Sequence, residues 1–184
     1  MATHRPGARE RLLASAEALF TRDGIRAVGV DRVCAEAGVS KRSLYQHFSG
    51  KDELVTAVVQ AKADTFRTAS AATAQPPRDR ILAVFDRQET ATGGPDFRGC
   101  PFVSAATELK DPAHPASLLA RAQKVGLTDY LADAATEAGA TEPALLAEQL
   151  TLVFDGASAW GVVRGGSTPA TRRTVELLLA AHGL

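Results

Sequence analysis

The sequence predicts an all-α protein in which a three-helix head precedes a larger helical domain, with about nine helices in total. Three observations predict this fold class. Apolar residues recur every three or four positions over long stretches, which is the spacing of one helix face. No stretch alternates apolar and polar residues, as a half-buried strand does. Glycine and proline recur at intervals of helical length, where helices end and begin.

The composition narrows the classes of protein that the sequence can encode. A chain of 184 residues can bury one large core or two small ones. It has no apolar run of transmembrane length and no apolar signal segment after Met1, so we expect a cytoplasmic protein that does not enter the membrane. Cys34, Cys100 and the four histidines lack the spacing of a disulfide framework or a metal site, and we expect neither metal nor cofactor.

The first predicted helix extends from about Ala8 to Arg22. Asp23 and Gly24 end it, because glycine readily adopts the backbone conformation of a helix C-cap. Its apolar stripe follows the 3.6-residue period and comprises Leu12, Leu13, Ala16, Leu19 and Phe20. With the next two helices it would complete a head, which we expect at residues 1–50.

A helix-turn-helix follows in the stretch VDRVCAEAGVSKRSLYQHFSGKDEL, which begins at Val30. Gly38 can adopt the positive φ that a sharp turn between two helices requires. Ser40 is a suitable N-cap for the second helix, from about Lys41 to Phe48. On that helix Leu44 and the last residue, four positions later, would face the core.

The outward face of this second helix consists of side chains that can donate hydrogen bonds, namely Lys41, Arg42, Ser43, Tyr45, Gln46 and His47. No acidic residue occurs between Lys41 and Gly50. A solvated helix usually mixes acids with bases, whereas a row of donors suits the base edges and phosphates of the major groove. The pattern predicts binding to double-stranded DNA, and an ordinary solvated helix is the alternative interpretation.

The segment AGVSKRSLYQHFSGKDEL resembles the DNA-binding signature of TetR-family transcriptional repressors, whose pattern is close to A-G-V-S-x-x-T-L-Y-x-H-F-x-S-K-x-x-L. The resemblance extends over about Leu12 to Leu54. Gly29 stands where the family often has threonine, so this chain lacks the hydroxyl that would cap the first helix of the motif. We expect base contacts from Lys41, Arg42, Tyr45 and Gln46. We expect mostly phosphate contacts from Ser40, Ser43, His47 and Lys51.

The net charge is zero, but it is unevenly divided along the chain. Residues 1–51 carry nine Lys or Arg against five Asp or Glu, and residues 52–184 carry twelve against sixteen. The first part is therefore at +4 and the second at −4. A basic head on an acidic body is expected if only one end of the molecule meets phosphate.

The larger domain is expected at residues 51–184, for effector binding and dimerisation. It starts with a connecting helix over 51–75, which Pro76 and Pro77 end. Apolar spacing and the glycine and proline signals predict the remaining helices, at about 81–90, 102–109, 118–138, 142–164 and 169–182.

The last two helices carry more apolar side chains than one core accommodates, and small residues in the first of them allow close helix approach. We therefore expect them to form half of an intermolecular four-helix bundle in a homodimer, as the resemblance to TetR-family proteins also implies. The predicted interface comprises Leu150, Val153, Ala157, Gly161, Val175 and Leu178. The alternative is a fully buried central helix in a monomer.

The other helices of this domain are expected to enclose a cavity for a small, mostly apolar effector. The predicted lining residues are Phe85, Phe102, Gln123, Leu127, Tyr130, Phe154, Asp155 and Trp160. Asp155 would meet a cation of the effector or pair with an arginine. Plain core packing is the alternative for each of these residues.

Together these features predict a transcriptional repressor and not an enzyme. As a homodimer it would place two reading helices about 34–36 Å apart on a near-palindromic DNA operator, and a small-molecule effector would release it. The alternatives are a DNA-binding activator, a repressor without an effector and, from a different class, a small helical enzyme that uses Cys100.

Overall fold

The computed structural model describes residues 6–70 and 75–184, with backbone only at 68–70. Within these ranges every regular element is a helix and no strand occurs, which confirms the predicted all-α class. Of the connecting helix expected over 51–75, residues 71–74 lie outside the described residues.

Nine α-helices occur in this described part of the chain, as predicted: α1 Ala8–Asp23, α2 Val30–Ala37, α3 Lys41–His47, α4 Lys51–Ser70, α5 Pro77–Thr92, α6 Pro101–Leu109, α7 Pro115–Ala138, α8 Pro143–Trp160 and α9 Pro169–Ala181. Proline occupies one of the first two positions of α5, α8 and α9, where its missing N–H costs no intrahelical hydrogen bond.

The described residues group into two compact units. The head unit comprises the described residues up to Thr65 together with Pro101–Arg121, and the body unit comprises those of Phe66–Cys100 together with Ala122–Leu184. Helix α6 and the start of α7 therefore pack with the head unit, although no local signal in the sequence pointed there. The expected boundary at residue 50 separates a DNA-binding domain from a domain for effector binding and dimerisation. Because it concerns function and the two units concern packing, it stays a prediction.

The core of the head unit is built from the residues that the helical spacing selects. In the predicted stripe of α1 all members are buried except Leu13, which is half-buried. They pack in one unit with fully buried side chains that include Val28, Val33, Leu44 and Leu54. Burial of each of these apolar side chains stabilises the folded state by about 1.5–3 kcal/mol relative to leaving it exposed.

The core of the body unit joins α5, α7, α8 and α9. Its fully buried members include Ile81, Phe85, Leu131, Leu146, Leu150, Val175 and Leu179. This set contains Leu150 and Val175, which the sequence assigned to the dimer face. A side chain without exposed surface in the protomer has none left for a partner, so these two positions are corrected to core residues.

Helix α8 departs from its expected form near its end. The prediction kept the helix to about Arg164, whereas after Trp160 the chain forms a π-helical segment, Gly161–Gly165. Gly161 is buried, and a Cβ atom there would lie 2.9 Å from Cε1 of Phe97. The wider turn changes which residues share a face, and Val162 and Val163 are both exposed.

Candidate nucleic-acid interface

The turn between α2 and α3 has the geometry of a sharp helix-turn-helix corner. Gly38 adopts the left-handed conformation, with φ +60°, as its position predicts. The N–H of Gly38 donates to the carbonyl of Ala35 at 3.3 Å, and the N–H of Val39 donates to that of Cys34 at 3.0 Å. Both hydrogen bonds satisfy carbonyl groups at the end of α2 that have no partner within the helix.

Helix α3 begins at a side-chain cap. The hydroxyl oxygen of Ser40 accepts a hydrogen bond from the N–H of Ser43 at 3.1 Å, as predicted. Leu44 and Phe48 are buried and hold the inner side of the helix against the head unit. This anchoring leaves the opposite side of α3 to solvent.

The outer side of α3 carries side-chain hydrogen-bond donors that have no acceptor among the described residues. Arg42, Tyr45, Gln46 and His47 are exposed, and Tyr45 keeps 55% of its surface accessible. None of the four side chains forms a hydrogen bond or ion pair with another described residue. Exposed donors on one helix face can meet base edges and phosphates without breaking an existing contact.

Lys41 differs from its neighbours because it already has a partner. Its ammonium lies 2.5 Å from a carboxylate oxygen of Asp31 on α2, and both side chains are exposed. An exposed ion pair of this kind contributes about 0–1 kcal/mol, so phosphate or base oxygens can compete for the lysine. Asp31 was not singled out in the sequence, because opposite charges ten residues apart give no local signal.

Lys51 begins α4 and is half-buried. Its ammonium donates to the carbonyl oxygen of Arg26 at 3.4 Å. In the same first turn of α4, the Glu53 carboxylate accepts from the N–H of Ser49 at 2.6 Å. The backbone and hydroxyl hydrogen bonds of Ser49 lower the pKa of Glu53 below its ordinary value.

The entry to α2 matches the expectation for Gly29. Gly29 is the extended N-cap residue, with φ −87° and ψ 161°, and no side chain caps the helix. Asp31 lies in the first turn, where its negative charge favours the positive end of the helix dipole.

Two further arginines contact residues of this region and lie outside the motif. The Arg9 guanidinium lies over the ring of Phe48, 5.4 Å from its centroid. Arg26 is exposed in the turn between α1 and α2, and its backbone contacts Lys51. The net positive charge of residues 1–51 was the only signal that pointed to them.

The predicted effector residues fall in both units. Phe102 is buried in the head unit, and the other seven belong to the body unit. There the rings of Phe85 and Phe154 meet edge to face, with centroids 6.2 Å apart. Trp160 is largely exposed, and the Arg164 guanidinium lies 5.0 Å from its ring centroid. Gln123, Leu127 and Tyr130 are half-buried.

Asp155 has a cationic partner within the chain. The Lys124 ammonium bonds its carboxylate and also lies 5.1 Å from the ring centroid of Phe154. The prediction allowed an arginine or a cation of the effector as the partner. The partner is a lysine on α7, and Asp155 therefore needs no external cation.

Gln88 is a polar residue of the body unit that the sequence did not reveal. It is buried on α5, and its Nε2 donates to the carbonyl of Phe154 and, at 2.9 Å, to the hydroxyl of Ser158. Both amide hydrogens are therefore used. The Oε1 atom is buried and has no hydrogen-bond partner among the residues that the structure describes.

The remaining predicted dimer residues are partly covered by their own protomer. Gly161 is buried, whereas Val153, Ala157 and Leu178 are half-buried. The most exposed apolar side chains of α8 and of the segment after it are instead Leu152, at 73%, and Val163, at 79%.

Two further expectations concern classes of site. No group of three or more potential metal ligands occurs within residues 6–70 and 75–184. None of the helices in these ranges combines the length and the apolar character needed to cross a membrane.

Comparison with known proteins gives matches to the head and to the whole chain. Residues 12–58 match the family model described as bacterial regulatory proteins, tetR family. The structure superposes on that of a TetR transcriptional regulator from Streptomyces avermitilis with a TM-score of 0.89 and 44% identity, over 97% of this chain and 100% of that one. A TetR-family transcriptional regulator from Streptomyces coelicolor has a TM-score of 0.89 and 31% identity, over 96% of each chain.

Curated relatives match mainly the head. The transcriptional activator FasR of Mycolicibacterium smegmatis is 48% identical over 56 residues, which are 30% of this chain and 26% of the relative. The transcriptional regulator YjdC of Escherichia coli is 30% identical over 82 residues, which are 45% of this chain and 43% of the relative. The chain thus spans less than half the length of these curated relatives.

Proposed function

The chain belongs to the TetR family of bacterial transcriptional regulators, and we propose that within this family it is a repressor that an effector releases from DNA. Membership in the family makes it a regulator rather than an enzyme, so the Cys100 alternative is discarded. In our proposal the protein binds a near-palindromic operator in the cytoplasm as a homodimer. A small, mostly apolar molecule bound in the body unit lowers its affinity for DNA.

One observation carries the DNA-binding part of this proposal. On the exposed face of α3, the side-chain donors of Arg42, Tyr45, Gln46 and His47 have no partner among the described residues. Arg42 has the fork of donors that suits the O6 and N7 atoms of guanine, and Tyr45 and Gln46 lie beside it. Lys41 joins them after leaving Asp31. The phosphate contacts come mainly from Ser40, Ser43, His47 and Lys51.

The test is selection of bound duplexes from a random library by the purified full chain, followed by footprinting. Two inverted half-sites whose centres are about 10–10.5 base pairs apart, or a multiple of that, are the expected result. Enrichment without inverted symmetry would contradict the homodimeric arrangement. Absence of any enriched sequence would contradict specific operator binding.

The proposed partner of the body unit is a second copy of the chain. One face of α8 and of the segment after it carries apolar or small residues at seven-, four- and three-residue spacing: Leu145, Leu152, Gly156, Ala159 and Val163. Helical geometry brings the first four positions to the same side of α8, and the exposed Val163 follows them in the π-helical segment. Exposed apolar side chains next to glycine and alanine suit close packing of a helix against its symmetry mate.

Gln88 supports an effector that carries a hydrogen-bond donor on an apolar frame. Its buried Oε1 atom has no partner within the described ranges, and such an acceptor costs about 1–3 kcal/mol until a donor reaches it. The rings of Phe85 and Phe154 lie in the same unit and favour an apolar remainder. A hydroxyl or N–H compound should therefore bind better than the same compound with that group methylated.

Linkage provides the test of release by an effector. Pairs of small hydroxylated aromatics and their methyl ethers are titrated against the protein with and without operator DNA. A hydroxylated member should lower operator affinity, and operator should lower its affinity by the same factor. A compound that binds the protein equally well in both states would contradict release.

The second candidate function is activation. The FasR relative is named a transcriptional activator and matches this chain over the motif. A reporter gene behind the selected operator separates the two: expression falls on addition of a repressor and rises on addition of an activator. Repression that no body-unit ligand relieves would favour a repressor without an effector.

A further inference from the structure

We propose that Glu108, on α6, is a positioning residue for DNA binding that acts through Arg26 on Lys51. The proposal rests on the proposed phosphate contact of Lys51 and adds a residue outside the helix-turn-helix to the binding machinery. All three residues lie in the head unit, so the argument needs no contact beyond it.

Arg26 links the two side chains through its backbone. Its N–H donates to Oε2 of Glu108 at 3.2 Å, across 82 positions of sequence. Its carbonyl oxygen accepts from the ammonium of Lys51 at 3.4 Å. Arg26, in the turn between α1 and α2, therefore connects Glu108 to Lys51: its N–H is bonded to Glu108 on α6, and its carbonyl oxygen is bonded to Lys51 on α4.

Gly24 leaves room for the Glu108 carboxylate beside this turn. A Cβ atom at Gly24 would lie only 2.9 Å from Oε2 of Glu108, so a side chain there would press on the carboxylate. Gly24 also has φ +87°, a conformation that favours glycine. The turn is thus shaped so that the carboxylate of α6 can approach its backbone.

The physical consequence concerns the freedom of Lys51. A lysine ammonium on a flexible four-carbon stem loses rotamer freedom when it binds a phosphate. The carbonyl of Arg26 removes part of that freedom in advance and leaves the other ammonium hydrogens for DNA. Without Glu108 the N–H of Arg26 turns to solvent, the turn becomes more mobile, and the carbonyl no longer stays in one position.

Three substitutions separate this role from the charge of Glu108. Glu108→Gln keeps an acceptor for the N–H of Arg26 and removes a negative charge, so operator affinity should stay within about twofold or increase. Glu108→Ala should lower affinity by about three- to tenfold, and log Kd should depend less steeply on log salt, by about one phosphate contact. Glu108→Asp keeps the charge but withdraws the carboxylate by one methylene, and it should resemble Ala.

Asp111→Ala is the matched control, because its carboxylate also accepts a backbone N–H, that of Ala113 at 2.9 Å, just after α6. It should leave the salt slope unchanged. If Glu108→Ala does not fold, the Asp and Gln variants decide the proposal by the same two readouts. Equal affinity and equal slope for Asp, Gln and the parent protein would overturn it.

Lys51→Ala separates failure of this proposal from failure of the function on which it rests. If Lys51→Ala leaves the salt slope unchanged, the phosphate role of Lys51 and the positioning role of Glu108 both fall. If Lys51→Ala flattens the slope but Glu108→Ala does not, only the positioning role falls. In the double variant, Glu108→Ala should cause no further loss, because the residue through which it acts is gone.

Discussion

The outer face of α3 in the head unit is polar and exposed, whereas the body unit buries a polar amide and exposes apolar side chains. On α3, Arg42, Tyr45 and Gln46 keep their donors in solvent without a partner in the described protein. In the body unit, the amide of Gln88 is buried, whereas Leu152 is 73% exposed. The donors on α3 cost nothing in the isolated chain, because water satisfies them. The buried Oε1 atom of Gln88 and the exposed Leu152 are unfavourable until a partner bonds the one and covers the other.

The difference teaches what kind of partner each unit requires. Exposed, uncommitted donors suit DNA, which supplies oxygen acceptors in both the bases and the backbone. An exposed apolar stripe suits a second copy of the chain, and a buried acceptor without a donor suits a small molecule.

The largest effect is expected at the apolar stripe of the body unit. If the proposed dimer forms through this stripe, Leu152→Glu should yield a monomer, because a buried carboxylate without a partner is strongly unfavourable at an interface. Operator affinity should then fall by about 100-fold or more, since a monomer binds only one half-site. Light scattering and DNA titration measure the two effects.

The control for this change is Arg87→Glu, which places the same carboxylate at an exposed polar position of α5. It should leave both the mass in solution and the operator affinity close to those of the parent protein. A dimer that persists in Leu152→Glu would show that the stripe is not the interface.

The next effect is expected on the donor face of α3. Arg42→Ala should lower affinity for the selected operator by about 5- to 150-fold, which corresponds to about 1–3 kcal/mol for one bidentate base contact. Affinity for unrelated DNA should change much less. Arg42→Lys retains the charge but loses the fork of donors. It should therefore bind unrelated DNA as well as the parent protein does, but it should not regain the preference for the selected operator.

A smaller effect is expected inside the body unit. Lys124→Met leaves the half-buried carboxylate of Asp155 without its partner, and the free energy of unfolding should fall by about 1 kcal/mol, given the partial exposure of the pair. Adding Asp155→Leu should restore most of this loss. Urea titrations measure both variants, and a double variant less stable than the single one would exclude this explanation.

The smallest effect concerns acid stability of the head unit. The Ser49 hydrogen bonds lower the pKa of Glu53 in the folded state. The stabilisation that these hydrogen bonds provide is therefore present above the pKa of Glu53 in the unfolded chain, about 4.3. It is lost as the pH falls through the lower pKa of Glu53 in the folded protein. Glu53→Gln should lower Tm at pH 7, and its difference from the parent protein should shrink towards pH 3 in thermal melts. A difference that is constant over this range would contradict the assignment.

Features set by nearby residues could be predicted from the sequence. Gly24, Gly38 and Ser40 each determine a cap or a turn through residues at most four positions away, and the structure confirms all three. The donor face of α3 is equally local, because all of its residues lie within the seven consecutive positions of one short helix. Leu44 and Phe48 were identified as core residues for the same reason.

Pairs of residues far apart in sequence could not be predicted in this way. Glu108 meets Arg26 across 82 positions, and Gln88 meets Ser158 across 70. Neither member of such a pair has a distinctive neighbour, since the partner is chosen by how whole helices pack. The same limit applies to Asp155, for which the sequence indicated a cation but not Lys124.

The sequence by itself determined the all-α class, the number of helices, the helix-turn-helix and the family, because helical periodicity, caps and turn chemistry act over a few residues. Only the tertiary structure decided which apolar side of α8 faces inward. Leu150 and Leu152 have identical side chains, and periodicity cannot tell which of two apolar faces a neighbouring helix will cover. Packing of α5, α7 and α9 buries Leu150 and leaves Leu152 exposed, and this outcome defines the surface available to a second chain.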